Sequence, residues 1–143
     1  LDKHQSLYVL GRGPAFAIAL EAALKAKETS GLHAEAFSLA ELMHGPMRLV
    51  QPGFPILAFT PDDAAYANNV KALERLSKLG ATTVPFSTRE LPGINLRVPT
   101  TGNGLLDPLV SLLVYYRMIE AVTRRKGFSP DKPANLLKVT ETV

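Results

Sequence analysis

The sequence predicts an α/β fold: a three-layer sandwich in which a mostly parallel sheet is flanked by helices in a doubly wound arrangement. Two observations carry this expectation. Short apolar, strand-like runs alternate with longer helical stretches along the chain, a pattern that builds parallel sheets covered on both faces. The first run, Ser6-Leu7-Tyr8-Val9-Leu10, leads at once into Gly11-Arg12-Gly13 and then Pro14 ahead of an alanine-rich stretch, the opening of a βα unit. With 143 residues, 46% of them hydrophobic and 20% charged, the chain has the length and composition of one soluble domain with a single core.

The elements follow in order. A helix is expected from Pro14 to Ser30, with Gly31 as its stop. Its first turns, Phe16 to Leu20, are apolar all round, which predicts burial on more than one side. Ser38-Leu39-Ala40-Glu41 has the capping-box pattern and starts a short helix that ends near His44-Gly45-Pro46. Phe54 to Thr60 reads as a second strand. Pro61-Asp62-Asp63 opens a helix reaching Leu79, with an apolar stripe at Val70, Leu73, Leu76 and Leu79, and Gly80 stops it. Ala81 to Ser87 is a third strand and Asn95 to Pro99 a fourth. Leu105 to Arg125 is the last long helix, with Asp107-Pro108 at its start. Residues 1–127 make the domain, and 128–143 form a polar tail that carries Leu136, Leu137 and Lys138.

Composition excludes several functions. Without cysteine there is no disulfide framework, thiolate zinc site or cysteine nucleophile, and a reducing cytoplasmic setting is expected. No apolar run approaches the ~20 residues that span a bilayer, and no signal peptide is visible. The first residue is Leu1 and a strand begins almost at once, so the chain reads as a fragment of a larger protein. The net charge is +3, and Arg124-Arg125-Lys126 sits where a helix C-terminus favours cations. No aromatic-rich basic surface points to nucleic acid. His33-Ala34-Glu35 has the H-x-E of zinc deaminases but lacks the required P-C-x-x-C. No metal and no cofactor are expected.

Four groups remain as chemical candidates. Gly11-Arg12-Gly13 lies beyond a strand's carboxyl end and before a helix N-terminus, a place that suits anionic substrates. It lacks a third glycine and is a weak signal, and a tight turn with close packing also explains it. Glu21, Lys25 and Glu28 fall on one stripe of the first helix. A salt-bridged face accounts for them, and so does a cleft in which each group perturbs the other's titration. His44 sits where a helix breaks, either as a C-terminal cap or as an oriented acid/base group. Lys138 is either a solvated lysine or an amine brought into a site by a docking tail.

Taken together, several segments resemble the SIS (sugar isomerase) family, in particular the second SIS domain in the isomerase half of glucosamine-6-phosphate synthases. They are Leu10-Gly11-Arg12-Gly13, Ala19 through Glu28, His33-Ala34-Glu35-Ala36, Glu41 through Pro46, and the tail from Asp131 to Thr140. The resemblance runs from end to end and implies a flavodoxin-like or Rossmann-like sheet. It implies that Glu28 shuttles a proton between C1 and C2 of an open-chain sugar phosphate. Lys138 would form a Schiff base with the ketose carbonyl or otherwise hold the open chain. His44 would open the ring in the active site of the neighbouring subunit, so a homodimer is expected. Lys25 would organise the charge beside Glu28.

The serine- and threonine-rich phosphate segment of the family lies in its first SIS domain and is absent here. The chain therefore resembles half of an active unit, completed by a first SIS domain. The ending also resembles SIS proteins without a glutaminase domain, including deaminases that release fructose 6-phosphate and ammonia. A non-catalytic sugar-phosphate sensor and a degenerate structural half are the remaining alternatives.

Overall fold

The structure is a computed structural model and describes residues 1–136. Its elements are β1 (Ser6–Gly11), α1 (Pro14–Ser30), β2 (His33–Ser38), α2 (Leu39–Leu42), a 3-10 turn at Pro46–Leu49, β3 (Pro55–Thr60), α3 (Tyr66–Lys78), β4 (Thr82–Ser87), β5 (Leu96–Arg97) and α4 (Asp107–Arg125). Five strands pair in parallel in the order β2-β1-β3-β4-β5. The α/β expectation holds, and the described sheet is wholly parallel.

Strand alternation sorts the core into two halves. Leu7 and Val9 of β1 point with Leu57, Phe59 and Phe86 toward α1 and α4. Tyr8 and Leu10 point with Ile56 and Ala58 toward α2 and α3. This period of two makes both sheet faces apolar and requires a helical layer on each.

α1 has the expected bounds. Pro14 tolerates its first turn, and Gly31 closes it in the left-handed conformation at φ 63°, where its N–H reaches the Ala26 carbonyl. Alanines at 15, 19, 22, 23 and 26 let the helix lie close on the sheet, with α4 beside it. Burial on more than one side holds, against the sheet and against α4, while Leu20 and Leu24 remain 51% and 43% exposed.

The approach of α1 to β1 requires glycine at position 11. A Cβ there would lie 2.6 Å from the Ala15 carbonyl carbon and 2.9 Å from the Phe16 nitrogen, both backbone atoms of the first helical turn. Gly11→Ala is expected to lower unfolding stability by about 3 kcal/mol through overpacking. Denaturant titration checks this, and a loss below about 0.5 kcal/mol would show that the turn absorbs the methyl group.

Several boundaries differ from the sequence reading. β2 was not expected; it is an edge strand with His33 and Glu35 outward and Ala34 inward, paired along β1 from Ser6↔His33 to Gly11↔Ser38. The Ser38–Glu41 capping box does not form, since Ser38 makes no side-chain cap, and α2 is a single turn. Pro61-Asp62-Asp63 does not begin α3. Asp63 instead accepts the Ala65 N–H at 2.8 Å, a local turn that competes with helix initiation. The fourth strand shrinks to Leu96–Arg97.

α4 begins at Asp107, two residues later than expected, because its carboxylate organises the preceding loop. Oδ1 accepts the Thr101 N–H at 2.6 Å and the Thr101 hydroxyl at 2.7 Å, and Oδ2 accepts the Thr100 hydroxyl at 2.9 Å. These bonds, the Thr101 N–H first, hold the Asp107 carboxyl below the usual carboxylate range against the opposing effect of burial. A carboxyl lowered in the folded state adds stability above its unfolded value and loses it as pH falls through the folded value. Stability is therefore expected to decline below about pH 4. Asp107→Asn should flatten that decline in denaturant titrations from pH 6 to pH 2.5. An unchanged slope would remove Asp107 as its source.

Candidate functional site

The βα connection sets the geometry of the candidate residues. α1 returns from the carboxyl end of β1 to the amino end of β2, so Gly13 and Glu28 lie about 22 Å apart along its axis at 1.5 Å per residue. α4 runs alongside in the same direction. Tyr115 donates to the Ala22 carbonyl at 2.6 Å, and Thr123 meets Thr29 hydroxyl to hydroxyl at 3.2 Å. The chain after α4 consequently arrives at the end of α1 that carries Glu28.

There the structure brings Lys25 and Glu28 together. Lys25 Nζ donates to Glu28 Oε2 at 2.6 Å, and both side chains are about one-third exposed. Glu21 is more distant from the ammonium, at 3.8 Å. The hydrogen bond to Glu28 is the largest influence on Lys25 and raises its pKa; burial opposes this, and the charges of Glu28 and Glu21 add to it. Lys25 therefore stays an ammonium near neutral pH. It can act as a fixed cation but not as an imine-forming amine, which must be deprotonated to attack a carbonyl.

Glu28 also lines a groove of about 400 Å³ at the amino edge of the fold. One wall is the last turn of α1, with Lys27, Thr29 and Gly31; the other is Phe128, Ser129, Lys132, Pro133, Ala134 and Asn135. The described tail forms this wall while Phe128 and Leu136 stay half-exposed. Lys138, three residues beyond Asn135 in sequence, lies outside the described residues. An apolar groove of similar size, about 390 Å³, lies between α3 and β4 and is lined by none of the candidate residues.

The other candidates lie elsewhere. His44 follows α2, in the layer on the opposite face of the sheet from Glu28. Its imidazole is exposed, and its backbone N–H donates to the Glu41 carbonyl at 3.0 Å. The segment is anchored by buried Leu42 and by Tyr8, whose hydroxyl donates to the Pro46 carbonyl at 3.2 Å. Burial raises the pKa of Tyr8, aided by the charge of Glu35, so it stays a donor. A single copy therefore presents His44 and Glu28 on separate surfaces.

Gly11-Arg12-Gly13 lies at the far end of α1. Packing accounts for Gly11, and Gly13, with φ 57°, makes the entry turn. Arg12 is exposed and has no ion pair among the described residues. On the same carboxyl edge of the sheet, Arg89 pairs with Asp62 at 2.7 Å and lies over the Tyr66 ring.

Sequence reasoning missed Tyr116. Its hydroxyl donates to Glu21 Oε1 at 2.8 Å across the α1–α4 contact. Burial, then the bond to Glu21 and its charge, push the phenol up to about 12. The two residues are 95 positions apart, so no local pattern signals the bond.

The sequence pattern of the SIS domain family matches residues 1–91. A glutamine–fructose-6-phosphate aminotransferase (isomerizing) from Aeropyrum pernix is 39% identical over 142 residues, covering 93% of this chain and 22% of the relative. The C-terminal domain of glucosamine-fructose-6-phosphate aminotransferase from Francisella tularensis superposes with a TM-score of 0.84 at 30% identity, over 92% of this chain and 38% of that one. Glucosamine-6-phosphate deaminase from Thermotoga maritima superposes with a TM-score of 0.67 at 27% identity, over 94% of this chain and 40% of that one. The chain spans less than a quarter of the length of the curated relatives it matches. Among the described residues no helix is long and apolar enough to cross a membrane. With its parallel sheet, its layered helices and a family match over most of its length, this chain belongs to the SIS domain family and resembles the isomerase SIS domain of glucosamine-fructose-6-phosphate aminotransferase.

Proposed function

We propose that this chain supplies the proton-transfer chemistry of a phosphosugar isomerase acting on fructose 6-phosphate and glucosamine 6-phosphate, as the second of two SIS domains in a homodimeric cytoplasmic protein. One observation carries the reading: Glu28, held by a fixed ammonium, lines a groove whose opposite wall is the segment leading to Lys138. A carboxylate at that place can take the proton from C1 of an open-chain sugar and return it at C2. Lys138, outside the described residues, would condense with the C2 carbonyl, release water and make the C1 proton more acidic, and exchange of this imine with ammonia would free the lysine before the proton is returned at C2. Lys25, charged throughout, would offset the negative charge that develops.

His44 would open the sugar ring in a neighbouring subunit, and its separation from Glu28 supports that arrangement. Gly11-Arg12-Gly13, at the far end of α1, has no contact with a sugar held at Glu28 in this reading; Gly11 serves packing and Gly13 the helix entry. Exposed Leu20 and Leu24 on α1, with Leu109 and Leu113 on α4, support a companion domain against this layer.

The experiment incubates the protein that carries this chain with glucosamine 6-phosphate and follows fructose 6-phosphate and ammonia, then runs the reverse with ammonia or glutamine. Conversion in either direction is expected. Absence of product with every nitrogen donor, from protein that binds the sugar phosphate, would leave the sensor reading. Similarity to the Thermotoga deaminase favours testing the ammonia-releasing direction first.

A further inference from the structure

We infer that Tyr116 is a positioning residue which, by holding Glu21 from α4, keeps the Lys25 ammonium on Glu28. The inference rests on the reading of Glu28 as the proton-transfer base. α1 offers Lys25 two carboxylates, Glu21 one turn before and Glu28 one turn after. A glutamate four residues N-terminal to a lysine is a favoured pair in an isolated helix, so local preference allows Glu21 to hold the ammonium. The structure shows the opposite, with 2.6 Å to Glu28 and 3.8 Å to Glu21.

The reason lies on the neighbouring helix. The Glu21 oxygen nearest Lys25, Oε1, accepts the Tyr116 phenol at 2.8 Å. That bond holds the carboxylate against α4, where its nearest oxygen stays 3.8 Å from Lys25. Among the described residues the other acid lining this corner, Glu120, is engaged by Arg124 at 2.9 Å and 3.0 Å. Glu28 Oε2 takes the ammonium, and Glu28 Oε1 has no hydrogen bond among the described residues, which leaves it open to a substrate proton. Burial and Glu21 keep the phenol protonated through the pH range of an assay.

The test compares Tyr116→Phe, Glu21→Gln and the double variant in the full protein. Tyr116→Phe frees Glu21 to compete for Lys25 and is expected to lower kcat about 10-fold with KM within about twofold, the mark of a lost transition-state interaction. In the double variant the competing charge is gone, so its kcat should equal that of Glu21→Gln alone, a strong departure from additivity. A kcat for Tyr116→Phe within about twofold of native, or fully additive losses, would overturn the inference.

A second readout needs no turnover: the NMR scalar coupling between Lys25 Nζ and the Glu28 carboxyl carbon across their hydrogen bond. It should be present in the native protein, weak in Tyr116→Phe and restored in the double variant. This coupling pattern in a native protein without isomerase activity would remove the role of Glu28 in catalysis and keep the orienting role of Tyr116. Coupling unchanged by Tyr116→Phe in an active protein would do the reverse.

Discussion

Glu28→Gln, placed in the protein that carries this chain with its companion SIS domain, is expected to slow sugar-phosphate turnover at least about 10²-fold, the usual size of an acid/base contribution. The amide matches the carboxylate in shape but accepts no proton, so the C1–C2 transfer loses its carrier. Lys25 also loses its charged partner at 2.6 Å and is left to Glu21. Steady-state kinetics check the result. KM is expected to change little, because sugar-phosphate binding energy in this reading comes mainly from the companion domain. Turnover within about threefold of native would remove Glu28 from the chemistry.

The second large effect concerns His44. His44→Ala should also cost about 10² or more when the closed sugar is the substrate, since ring opening needs an acid/base group. The layer separation of His44 and Glu28 makes a sharper consequence. If each site takes Glu28 from one copy and His44 from the other, mixing the two dead variants regenerates intact sites. Random re-pairing in a two-fold dimer gives half mixed dimers with one intact site each, so about a quarter of native activity should return. Subunit exchange after mild denaturation, followed by the turnover assay, reads this directly. Activity that stays at the level of the separate variants would place both residues in one copy's site or neither in any.

The parts of the fold marked by backbone chemistry were legible in the sequence. Pro14 and Gly31 punctuate α1, and its bounds came out as expected. β2 was not legible, because its outward His33 and Glu35 and its small alanines carry little strand signal, and only pairing with β1 makes it a strand. α3 began late because the Asp63 carboxylate turned to its own backbone. The apolar pattern from Phe16 to Leu20 was legible as burial on more than one side, and α1 packs on both the sheet and α4 while Leu20 and Leu24 stay exposed.

The candidate site follows the same division. Helical spacing put Lys25 and Glu28 on one stripe, and the structure places them in contact. Spacing does not tell which of two glutamates takes the ammonium, because that choice depends on Tyr116 from another helix. The distance of Gly11-Arg12-Gly13 from Glu28 follows from the direction of α1 once β2 is known, and the sequence reading had no β2 to set it.

Proton exchange at C1 of the sugar tests the central claim most directly. Fructose 6-phosphate in D₂O, followed by NMR with catalytic amounts of the full protein, should gain deuterium at C1 with the native enzyme and not with Glu28→Gln. Exchange at the native rate in Glu28→Gln would contradict the account, because the proton would then be moved by another group.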